Sequence, residues 1–368
     1  MRIVRRLLLA AAAVLVLFVL TFAVPVRLWR TGEQLRAPLI ADRAASVEAP
    51  SRIWIDTDAA CGHGPRTDPD DCLALLLLAD TSGLDIAGIS TVFGNAPLDV
   101  TDRTTRELVT ALETAGHDLP DVFTGAGSPQ SEDGSKRRTD ATRALEAALA
   151  EGPLAIVALG PLTNIAATLA RRPELVPRVT SLVAVMGRRT GHLFHPSEGA
   201  GAGTLLGHGP IFSDFNHSMD TRAATQILGL RVPLVLVPYV ASRDVEIAGT
   251  HLDRLADRGG PHAWVAARCR EWLAYWREEI GREGFYPFDL VAAAYVRDPR
   301  QLLCARVTAW VGDDPTMFIP FWNPPALLVT QDRDAIVEAE ATGQARYCFS
   351  ATVQFERALS QWLGGAPS

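Results

Sequence analysis

The chain has 368 residues, 48% of them hydrophobic and 21% charged, with a net charge of -7. That length suffices for a large buried core. The acidic balance, with no Lys/Arg-rich run beyond Lys136-Arg137-Arg138, excludes a general nucleic-acid-binding surface.

The first thirty residues stand apart. Met1-Arg2-Ile3-Val4-Arg5-Arg6 is basic, and Leu7 to Val24 is a run of eighteen uncharged residues. Such a run approaches the ~20 residues that span a bilayer and is long for the core of a signal peptide. No A-x-A-like cleavage site closes it, so residues 1–30 read as an uncleaved signal anchor, with a cleaved signal peptide as the alternative. Residues 31–50 read as a tether. This arrangement places the body of the protein, residues 51–368, outside the cytoplasmic membrane.

From residue 51 onward, apolar strand-like runs alternate with helical patterns. Ile53–Ile55 precedes a helix at Asp71–Ala79, and Leu84–Thr91 precedes one at about Thr101–Ala115. Short strands at Asp121–Thr124 and Leu154–Leu159 flank an Ala-rich helix, Thr139–Ala150. Helix Leu162–Arg171 and strand Ser181–Met186 follow, then a Gly/His-rich loop from Gly187 to Pro210. Helix Asp220–Leu228 leads to strand Pro233–Pro238. His262–Ile280 carries Trp264, Cys269, Trp272, Leu273, Trp276 and Ile280 at helical spacing, a stripe that reads first as core. Helix Asp289–Val296 and strands Leu302–Val311 and Ala326–Thr330 complete the pattern. Continuous apolar strands alternating with helices predict one α/β domain, a mostly parallel central sheet with helices on both faces. The five cysteines, Cys61, Cys72, Cys269, Cys304 and Cys348, are odd in number and contain no C-x-x-C pair. They suggest neither a disulfide framework nor a zinc knuckle, and Cys61 reads as a partly buried free thiol.

In such sheets ligands bind beyond the carboxyl ends of the strands. After the first strand come Asp56, Asp58, Asp70 and Asp71. Capping a helix requires one carboxylate, not four, and clustered like charges are costly to desolvate. A hard cation such as Ca²⁺, which takes about 6–8 oxygen ligands, offsets that cost. Other strand ends contribute Gly94-Asn95, Gly160-Pro161-Leu162-Thr163-Asn164, Ser213-Asp214-Phe215-Asn216 and Tyr286-Pro287-Phe288-Asp289. The set is rich in oxygen and poor in cations, which suits a hard metal and sugar hydroxyls. The chain has neither a P-loop nor a G-x-G-x-x-G motif.

Together these segments resemble the inosine-uridine-preferring nucleoside hydrolase family. The family's D-T-D-P-G-x-D-D-A-x-A-L is matched by Asp56-Thr57-Asp58 and Asp70-Asp71-Cys72-Leu73-Ala74-Leu75. Its V-x-G-N is matched by Val92-Phe93-Gly94-Asn95, and its G-P-L-T-N-x-A by Gly160 to Ala166. V-M-G-G is matched in part by Val185-Met186-Gly187. E-F-N-x-x-x-D-P-E-A-A corresponds to Asp214-Phe215-Asn216, Asp220 and Ala223-Ala224, and H-D-P-L-A-x-A to Phe288-Asp289-Leu290-Val291-Ala292. The resemblance spans about residues 52 to 300. It implies a Rossmann-like fold of the nucleoside hydrolase type and Ca²⁺-dependent hydrolysis of a ribonucleoside to ribose and free base.

By the same resemblance, Asp58, Asp71, Asp289 and the main-chain carbonyl of Thr163 hold the Ca²⁺, and Asp58 is the general base on its water. Asp70, Asn95, Asp214, Asn216 and Asp289 bind the ribose, while Phe288 lies against the base. The family also implies a homo-oligomer and a role in purine or pyrimidine salvage. Carboxylates around the ribose suit the oxocarbenium-like state of N-glycosidic cleavage. The alternatives are hydrolysis of another N-ribosyl compound and a non-catalytic ribose- or nucleoside-binding relative.

This chain departs from the family at three points. Eleven residues, 59–69, separate Asp58 from Asp70 where the family has three, which makes Asp68 a rival to Asp58. Phe288 replaces a His that protonates the leaving base, and Asp214 replaces a Glu. His63, His192, His195 and His208 are the alternative acids. Stacking by Trp272, Trp276, Phe285 or Tyr286 is a further means of activating a purine.

Overall fold

A computed structural model describes residues 2–19, 38–42, 48–131, 138–190, 214–314, 325–332, 339 and 341–364. The N-terminal helix α1 (Arg2–Phe18) has 17 residues. No helix among the described residues is long and apolar enough to cross a membrane, so the expected transmembrane helix is not supported. Residues 20–24, the end of the expected span, lie outside the described residues.

Among the described residues the body is one ten-stranded sheet ordered β3-β2-β1-β4-β5-β7-β12-β10-β11-β6. On one side lie β1 (Arg52–Thr57), β2 (Asp85–Thr91) and β3 (Val122–Thr124); in the middle are β4 (Leu154–Ala158), β5 (Val179–Ala184) and β7 (Leu234–Leu236). The far side has β6 (Arg188–Arg189), β10 (Leu302–Gly312), β11 (Ala326–Thr330) and β12 (Ala341–Ala351). From β3 to β12 every neighbouring pair is parallel, whereas β10 is antiparallel to both β12 and β11. The expected mostly parallel sheet is present, and β12 is a strand that the pattern reading missed. A two-stranded antiparallel ribbon, β8 (Ile247–Ala248) with β9 (Gly284–Phe285), stands apart.

Alternation along β1 explains the layers. Ile53 and Ile55 face a core shared with helices α2 (Asp70–Ala79) and α3 (Leu98–Thr114). Trp54 faces the other core, shared with α4 (Asp140–Glu151) and α5 (Thr163–Arg171). A sheet buried on both faces needs apolar residues at successive positions, and β1 and β4 supply them. Beyond β5 come the short α6 (Phe215–Met219) and α7 (Thr221–Leu230).

The helix expected over His262–Ile280 is divided. After α8 (Gly249–Asp257) it runs as α9 (Gly260–Arg268), α10 (Arg270–Tyr275) and a π-helical turn at Trp276–Ile280. Trp272 and Trp276 are buried there, as the core reading required. Next comes α11 (Phe288–Arg297), packed on α2, and the chain closes with α12 (Val353–Trp362). Asp80, just past α2, anchors α12: its Oδ2 accepts from Trp362 Nε1 at 2.7 Å, His262 Nε2 at 2.8 Å and Arg258 Nη2 at 3.0 Å.

The cysteine expectation is overturned. Cys61 is bonded to Cys72, and Cys304 to Cys348, its register partner across β10 and β12; buried Cys269 is the one free thiol. Cys61 is therefore not a thiol. Spacing conceals both pairings, because each depends on tertiary proximity rather than on a local motif.

Candidate functional site

Parallel strands end together, and their ends bring distant residues to one edge. Asp58 follows β1, and Asp70 and Asp71 open α2, whose Pro69 cap provides no side-chain hydrogen bond to it. Asp289 opens α11. Because α2 and α11 pack together, their first turns meet beside the end of β1. Asp70, Asp71 and Asp289 each present an oxygen, and these oxygens lie within 4.8 Å of one another. All three are buried, as is Asp58.

The hydrogen bonds fix each carboxylate. Asp71 Oδ1 accepts from the Thr57 hydroxyl and, at 3.2 Å, from Asp58 N; its Oδ2 accepts from Asn95 Nδ2 at 3.0 Å. Asp58 Oδ2 accepts from Asn95 N at 2.8 Å, whereas the buried Asp58 Oδ1 has no hydrogen-bond partner among the described residues. Asp289 N donates to Asp70 Oδ2 at 2.8 Å. Gly94 and Gly160 press on Asp58: a Cβ at position 94 would overlap its Oδ2, and one at 160 would lie 3.0 Å from its Cγ.

The electrostatics follow from the crowding. Burial, then the charge of Asp71, pushes Asp58 well above the ordinary carboxylate range. Asp289 rises for the same reason, with Asp70 and Asp71 its nearest repelling charges. Asp71 is pushed from 3.8 to about 6 by burial and then by Asp70, against the bond from Thr57. Asp68 enters the same field at the end of the inserted loop and accepts from Asp70 N at 3.3 Å. The converging oxygens of Asp70, Asp71 and Asp289, with Asp58 buried beside Asp71, fit a hard cation with oxygen ligands. Lone protonation is the other way to relieve the crowding.

The remaining predicted residues take defined places around this centre. Thr163 begins α5, and its hydroxyl donates to Asp220 Oδ2 at 2.7 Å. Asp214 Oδ2 accepts from Gly187 N at 2.7 Å, and burial raises its pKa. Asn216 Nδ2 binds the carbonyls of Leu159 and Val185, which ties α6 to the ends of β4 and β5. Phe288 is half-buried and meets Tyr286 edge-on, with ring centroids 6.5 Å apart. His63 is exposed, while His192, His195 and His208 lie outside the described residues.

Asp56 is an internal support rather than a member of the group. Its Oδ1 accepts from Ser90 Oγ and from Asn164 Nδ2, and burial raises its pKa to about 7. Three supports escaped the sequence reading: Thr57 on Asp71, Asn164 on Asp56, and Asp220 on Thr163. All three lie inside quoted motifs, so their position in D-T-D, G-P-L-T-N and E-F-N-x-x-x-D was the available signal.

A carboxylate centre at the carboxyl edge of a parallel sheet is the kind of site that belongs to an α/β enzyme acting on an oxygen-rich substrate. The family model described as inosine-uridine preferring nucleoside hydrolase matches residues 53–356. The chain belongs to that family and is a nucleoside N-ribohydrolase, an enzyme that hydrolyses ribonucleosides.

Its relatives are distant. The chain is 24% identical over 286 residues to the pyrimidine-specific ribonucleoside hydrolase RihA of Klebsiella pneumoniae, covering 71% of this chain and 83% of that protein. It is 27% identical over 249 residues to an uncharacterised protein of Schizosaccharomyces pombe, covering 59% and 74%. A purine-preferring ribonucleoside hydrolase from Gardnerella vaginalis superposes with a TM-score of 0.64 at 16% identity, covering 85% of this chain and 98% of that one. A plant nucleoside hydrolase, PpNRh1, gives 0.62 at 19% identity, covering 84% and 96%. These two structural likenesses carry the fold.

Proposed function

We propose that this enzyme is Ca²⁺-dependent, releases ribose and free base from a ribonucleoside, and works outside the cytoplasmic membrane. The observation that carries the reading is the unpartnered, buried Oδ1 of Asp58 beside Asp70, Asp71 and Asp289. Asp58, Asp71, Asp289 and the carbonyl of Thr163 would hold the cation. When bound, Ca²⁺ supplies charge neutralisation and acidifies a coordinated water.

The chain's own residues do the rest. Asp58 accepts the proton of the attacking water through Oδ1, since Asn95 N already occupies Oδ2. Asp70, Asp214 and Asp289 surround the ribose and stabilise the positive charge that builds as the N-glycosidic bond breaks. Asn95 and Asn216, whose amide nitrogens are engaged by Asp71 and by main-chain carbonyls, turn their carbonyl oxygens to ribose hydroxyls. Phe288 stacks on the base and donates no proton, so the leaving base takes its proton from solvent.

Phe288 also favours a second reading, hydrolysis of another N-ribosyl compound with a leaving group that needs no enzymic acid. Two disulfides support an oxidising compartment, in keeping with export directed by the basic and then apolar N-terminus. Membrane attachment through that segment, one catalytic domain over residues 51–368 and a homo-oligomer belong to the same proposal.

The test is release of reducing sugar from purine and pyrimidine nucleosides by the full chain in detergent, with Ca²⁺ or with chelator. Asp58→Ala should lower turnover by roughly 10²–10⁴-fold, the range for a positioned general base. Activity indifferent to chelator, or retained by Asp58→Ala, would overturn the mechanism.

A further inference from the structure

We propose that the Cys61–Cys72 bridge is a positioning element of the carboxylate site, holding Asp70 and Asp71 in register with Asp58. The inference rests on the cation site proposed above. Eleven residues separate Asp58 from Asp70, enough slack for a loop to let its two ends drift. The bridge removes that slack. Through the sulfurs, the covalent path from Asp58 runs over Ala59 and Ala60 to Cys61, then to Cys72, the neighbour of Asp71.

The loop is built as two parts around this bridge. Its inner arm is core: Ala59 and Ala60 are wholly buried, Cys61 is 4% exposed and Cys72 0%. Ala59 N donates to Thr57 Oγ1 at 3.3 Å, so the arm shares the hydroxyl that holds Asp71. A turn, His63 N to Ala60 O at 3.0 Å, then carries the chain outward. The outer lobe is largely exposed, and Arg66 ties it to Glu279 at 2.7 Å, with its guanidinium 5.6 Å from the Tyr275 ring centre. An exposed ion pair of that kind is a weak restraint.

The restraint that matters must act against repulsion. Asp58, Asp70, Asp71 and Asp289 are all buried, and repulsion of ionised Asp58 with Asp70 or Asp71 favours separation of α2 from the end of β1. Pro69 adds no side-chain cap to hold the first turn. A covalent link at Cys72, directly after the two carboxylates, opposes that separation whether or not the cation is present.

The experiment compares the full chain with C61S/C72S and with C304S/C348S, thiols being counted after unfolding. Calcium affinity is read by calorimetry, and nucleoside turnover and thermal unfolding are read alongside it. C61S/C72S should weaken calcium binding by roughly ten- to a hundredfold, the range for supports behind metal ligands, with kcat falling more than KM. C304S/C348S should lower the melting temperature and leave calcium affinity within about twofold. Unchanged calcium affinity in C61S/C72S, or equal weakening in both pairs, overturns the proposal.

A second variant guards against misfolding: residues 59–69 replaced by a three-residue link, with Cys72→Ser. It should bind calcium nearly as the parent does, and failure to do so also counts against the bridge as a register device. A parent chain that binds calcium but splits no nucleoside defeats the proposed function alone. One that binds no calcium defeats both.

Discussion

Replacing Asp71 by Asn should stabilise the calcium-free protein at pH 8 while destroying the site. Asp71 is wholly buried, and its pKa is raised from 3.8 to about 6, by burial first and by Asp70 second. At ~1.36 kcal/mol per pH unit, its charge costs the folded state about 3 kcal/mol. The sign follows from the raised value. Below pH 3.8 the group is neutral in both states and the cost vanishes; it grows as pH rises and is complete above about 6.

Asn keeps an oxygen for Thr57 and for Asp58 N, but it turns an amide toward Asn95 Nδ2, where Asp71 Oδ2 now accepts. That donor–donor meeting costs about 1–2 kcal/mol, leaving a net gain of about 1–2 kcal/mol, or ~1–3 °C in melting temperature for a chain of this size. Differential scanning calorimetry in chelator at pH 8 and pH 4 reads it. The gain should appear at pH 8, disappear at pH 4, and be accompanied by loss of calcium-induced stabilisation. A variant less stable than its parent at pH 8 by as much as at pH 4 would refute the stored charge.

Three further expectations concern neighbouring residues. Gly94→Ala places a methyl onto Asp58 Oδ2; stability should fall by about 1–3 kcal/mol and calcium affinity with it, as chemical melts and calorimetry would report. Phe288→His returns a proton donor beside the leaving base, so kcat on nucleosides should rise by roughly tenfold or more and gain a descending limb above pH ~6.5. An unchanged pH–rate profile would place the proton source elsewhere. Asp80→Ala leaves Trp362 Nε1 and His262 without their acceptor and Arg258 with only the Trp362 carbonyl, and should cost about 3 kcal/mol, read as easier proteolysis of the C-terminal helix. Burial raises the Asp80 pKa, but bonds from His262 and Trp362 and the charge of Arg258 outweigh it, so this support is present at neutral pH and fades only below 3.8.

The layered fold was legible because β4 is apolar at every position and β1 carries Ile53-Trp54-Ile55 in succession, a mark of burial on both faces. The carboxylate group was legible for a chemical reason: Asp58, Asp70, Asp71 and Asp289 have no purpose as core. What stayed hidden depended on distance or on local irregularity. Cys61 and Cys72 are separated by a loop whose path no periodicity predicts. The run His262–Ile280 keeps a helical pattern across Cys269, so its division and π turn leave no trace in spacing. Asn95 and Asn216 were read for the ribose, yet their amides also do structural work, on Asp71 and on the ends of β4 and β5. The N-terminal span was read from hydropathy alone, and no helix among the described residues is long and apolar enough to cross a membrane.

Drawing its acids from positions 58, 70, 71 and 289 of 368 gives the centre a birth order. The Cys61–Cys72 bond needs only the first fifth of the chain, so it can close while most of the protein is still being made. The fourth acid arrives after more than three quarters of the chain has been synthesised. Until then the nascent polypeptide carries three of the four acids, and the Cys61–Cys72 bond can frame them before the segment that completes the set is made.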